Sequence, residues 1–133
     1  MKAYFTRAYG LSASHRLHSE ELSDEANREA FGKCNNPFGH GHNYRVEVTV
    51  GGPIDAETGM VINMADLDRV VLENVLARFD HANLNLDPLF AMRVSTTENF
   101  CIGIYELLKP VLGGLERVRI EETENNFFEY SGE

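Results

Sequence analysis

Cys34-Asn35-Asn36-Pro37-Phe38-Gly39-His40-Gly41-His42-Asn43-Tyr44 is the segment that organises the chain around it. His40 and His42 share a parity with Tyr44, Val46, Val48 and Val50, and residues two apart in a strand point to the same face. An extended run therefore begins with two imidazoles on its inward, apolar side. Gly39 and Gly41 flank the first of them and leave the backbone free to bend or to approach a neighbour closely. Burying two unpaired imidazoles is costly unless they hold something, and a metal ion is the obvious candidate. Cys34 lies just upstream on a loop rich in Asn and Pro, placed to be a ligand or a reactive thiol.

Upstream, residues 1–14 alternate β-branched and aromatic residues with polar ones, and Phe5, Tyr9, Leu11 and Ala13 share a parity with His15. This reads as a strand that delivers His15 at its end. Ser23-Asp24-Glu25 then opens a short helix, with a capping serine and two acids at the positive end of the dipole, and Gly32 stops it.

Downstream, the strand from about His42 to Val50 ends at Gly51-Gly52-Pro53. The turn at residues 55–59 leads into Met60-Val61-Ile62, which reads as the return strand of a hairpin. Asn63 caps a helix with Asp66 as its reciprocal partner, and Met64, Leu67, Val71, Val75 and Phe79 form the apolar stripe. Asp80-His81 follows on a polar loop. Ser95-Thr96-Thr97-Glu98 is a capping box that opens a further helix, with Phe100, Ile104 and Leu108 inward and Cys101 as a small core residue. Val118 and Ile120 share a strand face with Glu122, and residues 123–126 turn the chain into a last strand from Phe127 to Tyr130.

The expected fold is a single α+β domain over residues 1–133, an antiparallel sheet with two long helices on one face. The other face then calls for cover, most simply a neighbouring subunit. A net charge of −9 argues against nucleic acid and sets any anionic substrate the task of finding a local basic patch. Nothing reads as a signal peptide or a membrane span, and two cysteines do not make a disulfide framework, so a cytoplasmic protein is expected.

His15, His40 and His42 suffice as a zinc shell with one position left open, the catalytic arrangement; Cys34 as a fourth ligand would make the site structural instead. Alternatively Cys34 is a base, its thiol activated by His81, which Asp80 would orient. A carboxylate at Glu122, at the end of an apolar strand face, is unexplained by either.

These residues together resemble the 6-pyruvoyltetrahydropterin synthase family of the tunnelling-fold superfamily. The similarity runs over nearly the full length, on Ser12-Ala13-Ser14-His15-Arg16-Leu17, Phe31-Gly32-Lys33-Cys34-Asn35-Asn36-Pro37, Gly39-His40-Gly41-His42-Asn43-Tyr44, Thr58-Gly59-Met60, Asp80-His81, Ser95-Thr96-Thr97-Glu98-Asn99 and Glu122-Thr123. The resemblance implies Zn2+ on His15, His40 and His42, Cys34 as the base, and Asp80 and His81 assisting it. It further implies Glu122 anchoring a pterin ring, with Thr96, Thr97 and Glu98 lining the pocket.

The implied reaction converts 7,8-dihydroneopterin triphosphate to 6-pyruvoyltetrahydropterin with release of triphosphate. Arg16 and Lys33 flank the site in sequence and are the candidates for binding the triphosphate. The resemblance also implies trimers whose sheets join into a barrel, stacked in pairs as a homohexamer, with Asp80 and His81 serving a neighbour's Cys34.

The rival is the 6-carboxytetrahydropterin synthase family of queuosine biosynthesis, in which the cysteine lies closer to the His-x-His pair. The six positions from Cys34 to His40 match the longer loop of the pyruvoyl-forming enzymes. A relative that forms a hydroxymethyl pterin has glutamate in place of the cysteine, and a non-catalytic zinc or pterin module would not need Cys34, Asp80 and His81. Ala82 stands where animal members carry lysine.

Overall fold

Strand β1 (Lys2–His15) pairs antiparallel with β2 (His40–Pro53) along their entire lengths, fourteen residues each, so that His15 faces His40 and Ala13 faces His42. The computed structural model describes residues 1–133. Between these strands lie α1 (Asp24–Phe31) and a tight helical turn (Gly32–Asn35) that carries Cys34. Ser23 accepts the Ala26 N–H as the cap, and Gly32 ends the helix with φ 55°, a left-handed value that suits glycine.

No hairpin forms after β2. Asp55 closes the turn instead, its carboxylate accepting the Glu57 and Thr58 N–H groups, and Met60-Val61-Ile62 runs without strand pairing to the cap of the next helix. β2 already has a neighbour on each side, so a returning strand has no free edge there. Asn63 caps α2 (Met64–Val71) through the N–H groups of Ala65 and Asp66, whereas the Asp66 carboxylate takes Arg69 rather than reciprocating. A widened π-type turn (Leu72–Leu76) carries the helix on into α3 (Ala77–Phe79). Of the expected stripe, Leu67, Val71, Val75 and Phe79 are buried, and Met64 at the first turn is exposed.

After Asp80-His81 the chain makes a two-residue strand β3 (Ala82–Asn83), parallel to β1 at Ala13 and Ser14. The five-stranded sheet is therefore mixed, in the order β3-β1-β2-β4-β5, although its four longer strands are antiparallel. Helix α4 (Thr97–Leu108) starts one residue later than the capping box implies: Thr96 is the cap and accepts from the Asn99 N–H. β4 (Leu115–Glu121) and β5 (Phe127–Tyr130) form the expected terminal hairpin.

Both helical layers lie on one face of the sheet, where Leu67, Val71, Phe79, Phe100, Ile104 and Leu108 pack on Leu11, Val46, Val48, Val118 and Ile120 in one core. Cys101 belongs to it; its thiol donates to the Val118 carbonyl, and burial pushes its pKa up to about 12. The opposite face is open in the chain but polar, with the Thr6–Thr49 hydroxyl pair and the Arg45, Glu47, Arg119 and Glu121 ion-pair network. An antiparallel sheet can face water on such a side, so cover is not required to hide an apolar surface.

One surface link ties the end of α3 to the following loop. Arg78 donates two hydrogen bonds to Asp87, 2.9 and 2.7 Å, while Asp87 also caps the Leu89 N–H. The Arg78 guanidinium holds the Asp87 carboxyl below its usual range. Such a group stabilises the fold fully above the unfolded-state pKa, and the contribution is lost as pH falls through the folded one. Asp87→Asn should therefore lower unfolding free energy by about 1–2 kcal/mol near neutral pH. In denaturant titrations across pH, the deficit should shrink steadily below about pH 4; a deficit independent of pH would contradict this account.

Candidate active site

The register of β1 against β2 is what assembles the histidines. His15 and His40 are cross-strand partners, and His42 lies one pleat farther on the same face. Ring centroids are 4.7 Å apart for His15 and His40, 5.2 Å for His15 and His42, and 4.8 Å for His40 and His42. Gly39 is needed at the entrance to β2: its φ is 75°, and a Cβ there would lie 3.0 Å from the His15 carbonyl oxygen.

His15 is buried, and its Nδ1 is 2.6 Å from the Ser95 carbonyl. A carbonyl only accepts, so Nδ1 carries the proton and the lone pair of Nε2 is directed toward His40, whose Nε2 is 3.1 Å away. Burial lowers the pKa of His15 against the opposing pull of the Ser95 bond, and burial followed by the neighbouring His42 lowers that of His40. Both rings are thus held in the neutral form that ligates. Nε2 of His42 is buried without a hydrogen-bond partner. One donor atom from each ring falls within 4.8 Å of the others. Ligands about 2.0–2.1 Å from a tetrahedral ion sit about 3.4 Å apart, so this donor set reaches a divalent cation once its widest pair closes by about an ångström.

Neither Cys34 nor Glu122 belongs to that group. Cys34 is a free, half-buried thiol, and its backbone carbonyl accepts from the Leu17 N–H at 2.8 Å. Glu122 lies just past the end of β4, with its side chain 18% exposed, not free in solvent as a strand end alone would suggest. One carboxylate oxygen is 3.3 Å from His42 Nε2, within ion-pair distance but outside hydrogen-bond geometry, and the other accepts from the Thr97 hydroxyl. Of the three pocket residues expected from α4, Thr97 reaches Glu122, Thr96 spends its hydroxyl on the helix cap, and Glu98 is exposed.

Asp80 and His81 are not joined to Cys34 by any hydrogen bond or ion pair within the chain. Asp80 accepts the Ser12 N–H at 2.9 Å, and its second oxygen is 3.7 Å from His81 Nε2. His81 is 83% exposed and has a left-handed backbone, φ 62°, held by its N–H bond to the Ser12 carbonyl. A strained, solvent-facing imidazole with an oriented carboxylate is a feature to be explained by function. It lines an open depression with Ser12, Ser14, His42 and Asn43.

Arg16 lines a different cleft of about 400 Å³ together with His15, Ser95, His18 and Arg93. Lys33 faces a separate hollow with Arg28 and Asn36. The Ser95 carbonyl is the one contributor that no sequence signal marks, since a backbone acceptor has no side-chain identity.

Three comparisons describe what the chain is similar to. The family model described as 6-pyruvoyl tetrahydropterin synthase matches residues 4–133. The 6-pyruvoyl tetrahydrobiopterin synthase of Homo sapiens is 53% identical over 135 residues, covering 99% of this chain and 93% of that protein. A putative 6-carboxy-5,6,7,8-tetrahydropterin synthase of Archaeoglobus fulgidus is 40% identical over 90 residues, covering 68% of this chain and 73% of that one. The solved 6-pyruvoyl tetrahydropterin synthase of Caenorhabditis elegans superposes with a TM-score of 0.95 at 45% identity, covering 100% of this chain and 97% of that chain.

The donor set yields a direct test of which groups hold a cation. His40→Ala should reduce bound divalent metal from about one per chain to near zero in chelator-buffered dialysis, while Cys34→Ala leaves it at one. Loss of the metal in Cys34→Ala would make the sulfur a ligand.

Proposed function

The chain belongs to the 6-pyruvoyl tetrahydropterin synthase family, and from that premise we propose how its residues carry the conversion of 7,8-dihydroneopterin triphosphate to 6-pyruvoyltetrahydropterin. The observation that bears most weight is the convergence of three imidazoles beside an ordered carboxylate, with a free thiol on the adjoining turn.

Glu122 binds the pterin. Its carboxylate is fixed by Thr97 and accepts paired hydrogen bonds from the amino-amide edge of the ring, an arrangement that sets orientation as well as affinity. His15, His40 and His42 hold Zn2+, which supplies Lewis acidity to the substrate side-chain hydroxyls. Cys34, as thiolate, takes a proton from a side-chain carbon. Protons return to the ring, which is reduced as the side chain is oxidised, so the chain needs no external reductant. Triphosphate leaves from the terminal carbon. Asp80 orients His81, and His81 draws the proton from a thiol.

Because His81 is exposed and unconnected to the Cys34 of its own chain, the pair serves a neighbouring subunit's thiol. That reading supports a trimer in which sheets join edge to edge, β5 of one chain meeting the β3–β1 side of the next, with the polar face lining a wet barrel and two trimers forming the hexamer. The two free cysteines fit a cytoplasmic enzyme, and no helix is long and apolar enough to cross a membrane. Arg16, beside His15, is the better placed of the two triphosphate candidates, and Lys33 serves only if the tail turns toward the Cys34 loop.

Incubation of zinc-loaded protein with dihydroneopterin triphosphate should give a pyruvoyl pterin and no acetaldehyde, as read by mass spectrometry; a carboxy pterin with acetaldehyde would assign the rival reaction. Cys34→Ala should lower kcat by about 10²–10⁴-fold. Glu122→Gln should lower kcat/KM by about 10²-fold through the loss of charge-assisted ring contacts. Wild-type turnover in either variant would remove that residue from its role.

A further inference from the structure

The turn that carries Cys34 is bound to the segment leaving the metal ligand His15 by four hydrogen bonds, and one buried side chain is at their centre. Asn35 is 6% exposed. Its Nδ2 donates to the Leu17 carbonyl at 2.6 Å and to Nδ1 of His18 at 3.0 Å, so both amide hydrogens are used. The Leu17 N–H donates back to the Cys34 carbonyl at 2.8 Å, and Arg16 Nε donates to the Asn35 carbonyl at 3.1 Å. Rotating the amide would turn its oxygen onto the Leu17 carbonyl, which can only accept, and this fixes its orientation. Since His18 Nδ1 accepts, its proton is on Nε2, which faces Glu20 at 3.9 Å.

We propose that Asn35 is a positioning residue for the known reaction: its amide, bridging Leu17 and His18, holds the Cys34 turn in register with His15 so that the thiol meets the substrate side chain at a fixed place. The inference rests on Cys34 being the base. A short turn with a half-buried cysteine would otherwise be free to shift by an ångström or more, and a displacement of that size is enough to cost about 10²-fold in rate. His18 acts in the same clamp as the acceptor, which gives a histidine in a hydrogen-bonded, non-ligating place a reason to be there.

The test uses zinc-loaded protein and four variants. Asn35→Ala should lower kcat ten- to a hundredfold with KM within about twofold, metal content at one per chain, and a several-fold change in the rate at which iodoacetamide alkylates Cys34. His18→Leu, which removes the acceptor, should give a smaller loss of the same kind, and His18→Gln, which restores an amide oxygen, should return kcat to within about threefold. The His18 pair decides the matter if Asn35→Ala does not fold. Unchanged kcat and alkylation in Asn35→Ala, losses that follow metal content, or no rescue by His18→Gln over His18→Leu would overturn the proposal. Full turnover in Cys34→Ala would instead sink the assignment of the base, while the alkylation rates would still report on the clamp.

Discussion

The antiparallel register of β1 on β2 is the constraint on which the site depends. Fourteen paired residues put His15 opposite His40, and the pleat puts His42 on the same side as both. A slip of one residue would send every inward side chain of a strand to the other face. A slip of β2 would therefore cost Tyr44, Val46 and Val48 their places in the core at the same time as it separated His40 and His42 from His15. The convergence of the three imidazoles is in this way secured by ordinary apolar packing, far more strongly than three exposed side chains on loops would be.

The start of α4 joins the two ends of the site. Ser95, two residues before Thr97, gives its carbonyl to His15, and Thr97 gives its hydroxyl to Glu122. A single well-capped helix start thus fixes the tautomer of His15 and the orientation of the carboxylate proposed to bind the pterin. Phe100, Ile104 and Leu108 anchor that helix in the core, so its first turn is a rigid support rather than a loop. Cys34 is supported separately, through the Asn35 contacts to residues 16–18. The thiol and the three imidazoles are therefore held by different contacts, which meet at the segment after His15 and at Gly39, whose N–H donates to the Asn36 carbonyl.

Much of this was legible because period-two alternation and helix caps are local signals. The parity of His40, His42 and Val46 fixed the inward face of β2, that of Leu11, Ala13 and His15 did so for β1, and Ser23, Asn63 and Gly32 marked helix ends correctly. The failures were of another kind. Met60-Val61-Ile62 has strand-like residues but no free edge to pair with, a fact set by β4, whose residues pair with β2 residues 65 to 76 positions earlier in the chain. The capping box misled by one residue because Ser95 and Thr96 are equally good caps, and Ser95 is instead drawn toward His15 and the Arg16 carbonyl. The parallel β3, the widened turn at Leu72–Leu76 and the Ser95 carbonyl have no compositional mark at all, since each is a backbone arrangement imposed by tertiary contacts. The chemistry at Glu122 was an oddity in the strand pattern and took a role only from the family resemblance, and its burial beside His42 gives that oddity a place.

The account stands on three imidazoles sharing one cation while the sulfur of Cys34 remains outside its shell. X-ray absorption on zinc-loaded protein measures this directly. It should return three nitrogen scatterers with one light atom at about 2.0–2.1 Å and no sulfur near 2.3 Å, both alone and with the pterin substrate bound. A sulfur shell at that distance in the substrate complex would contradict it, because a thiolate closed onto the metal cannot also take the proton.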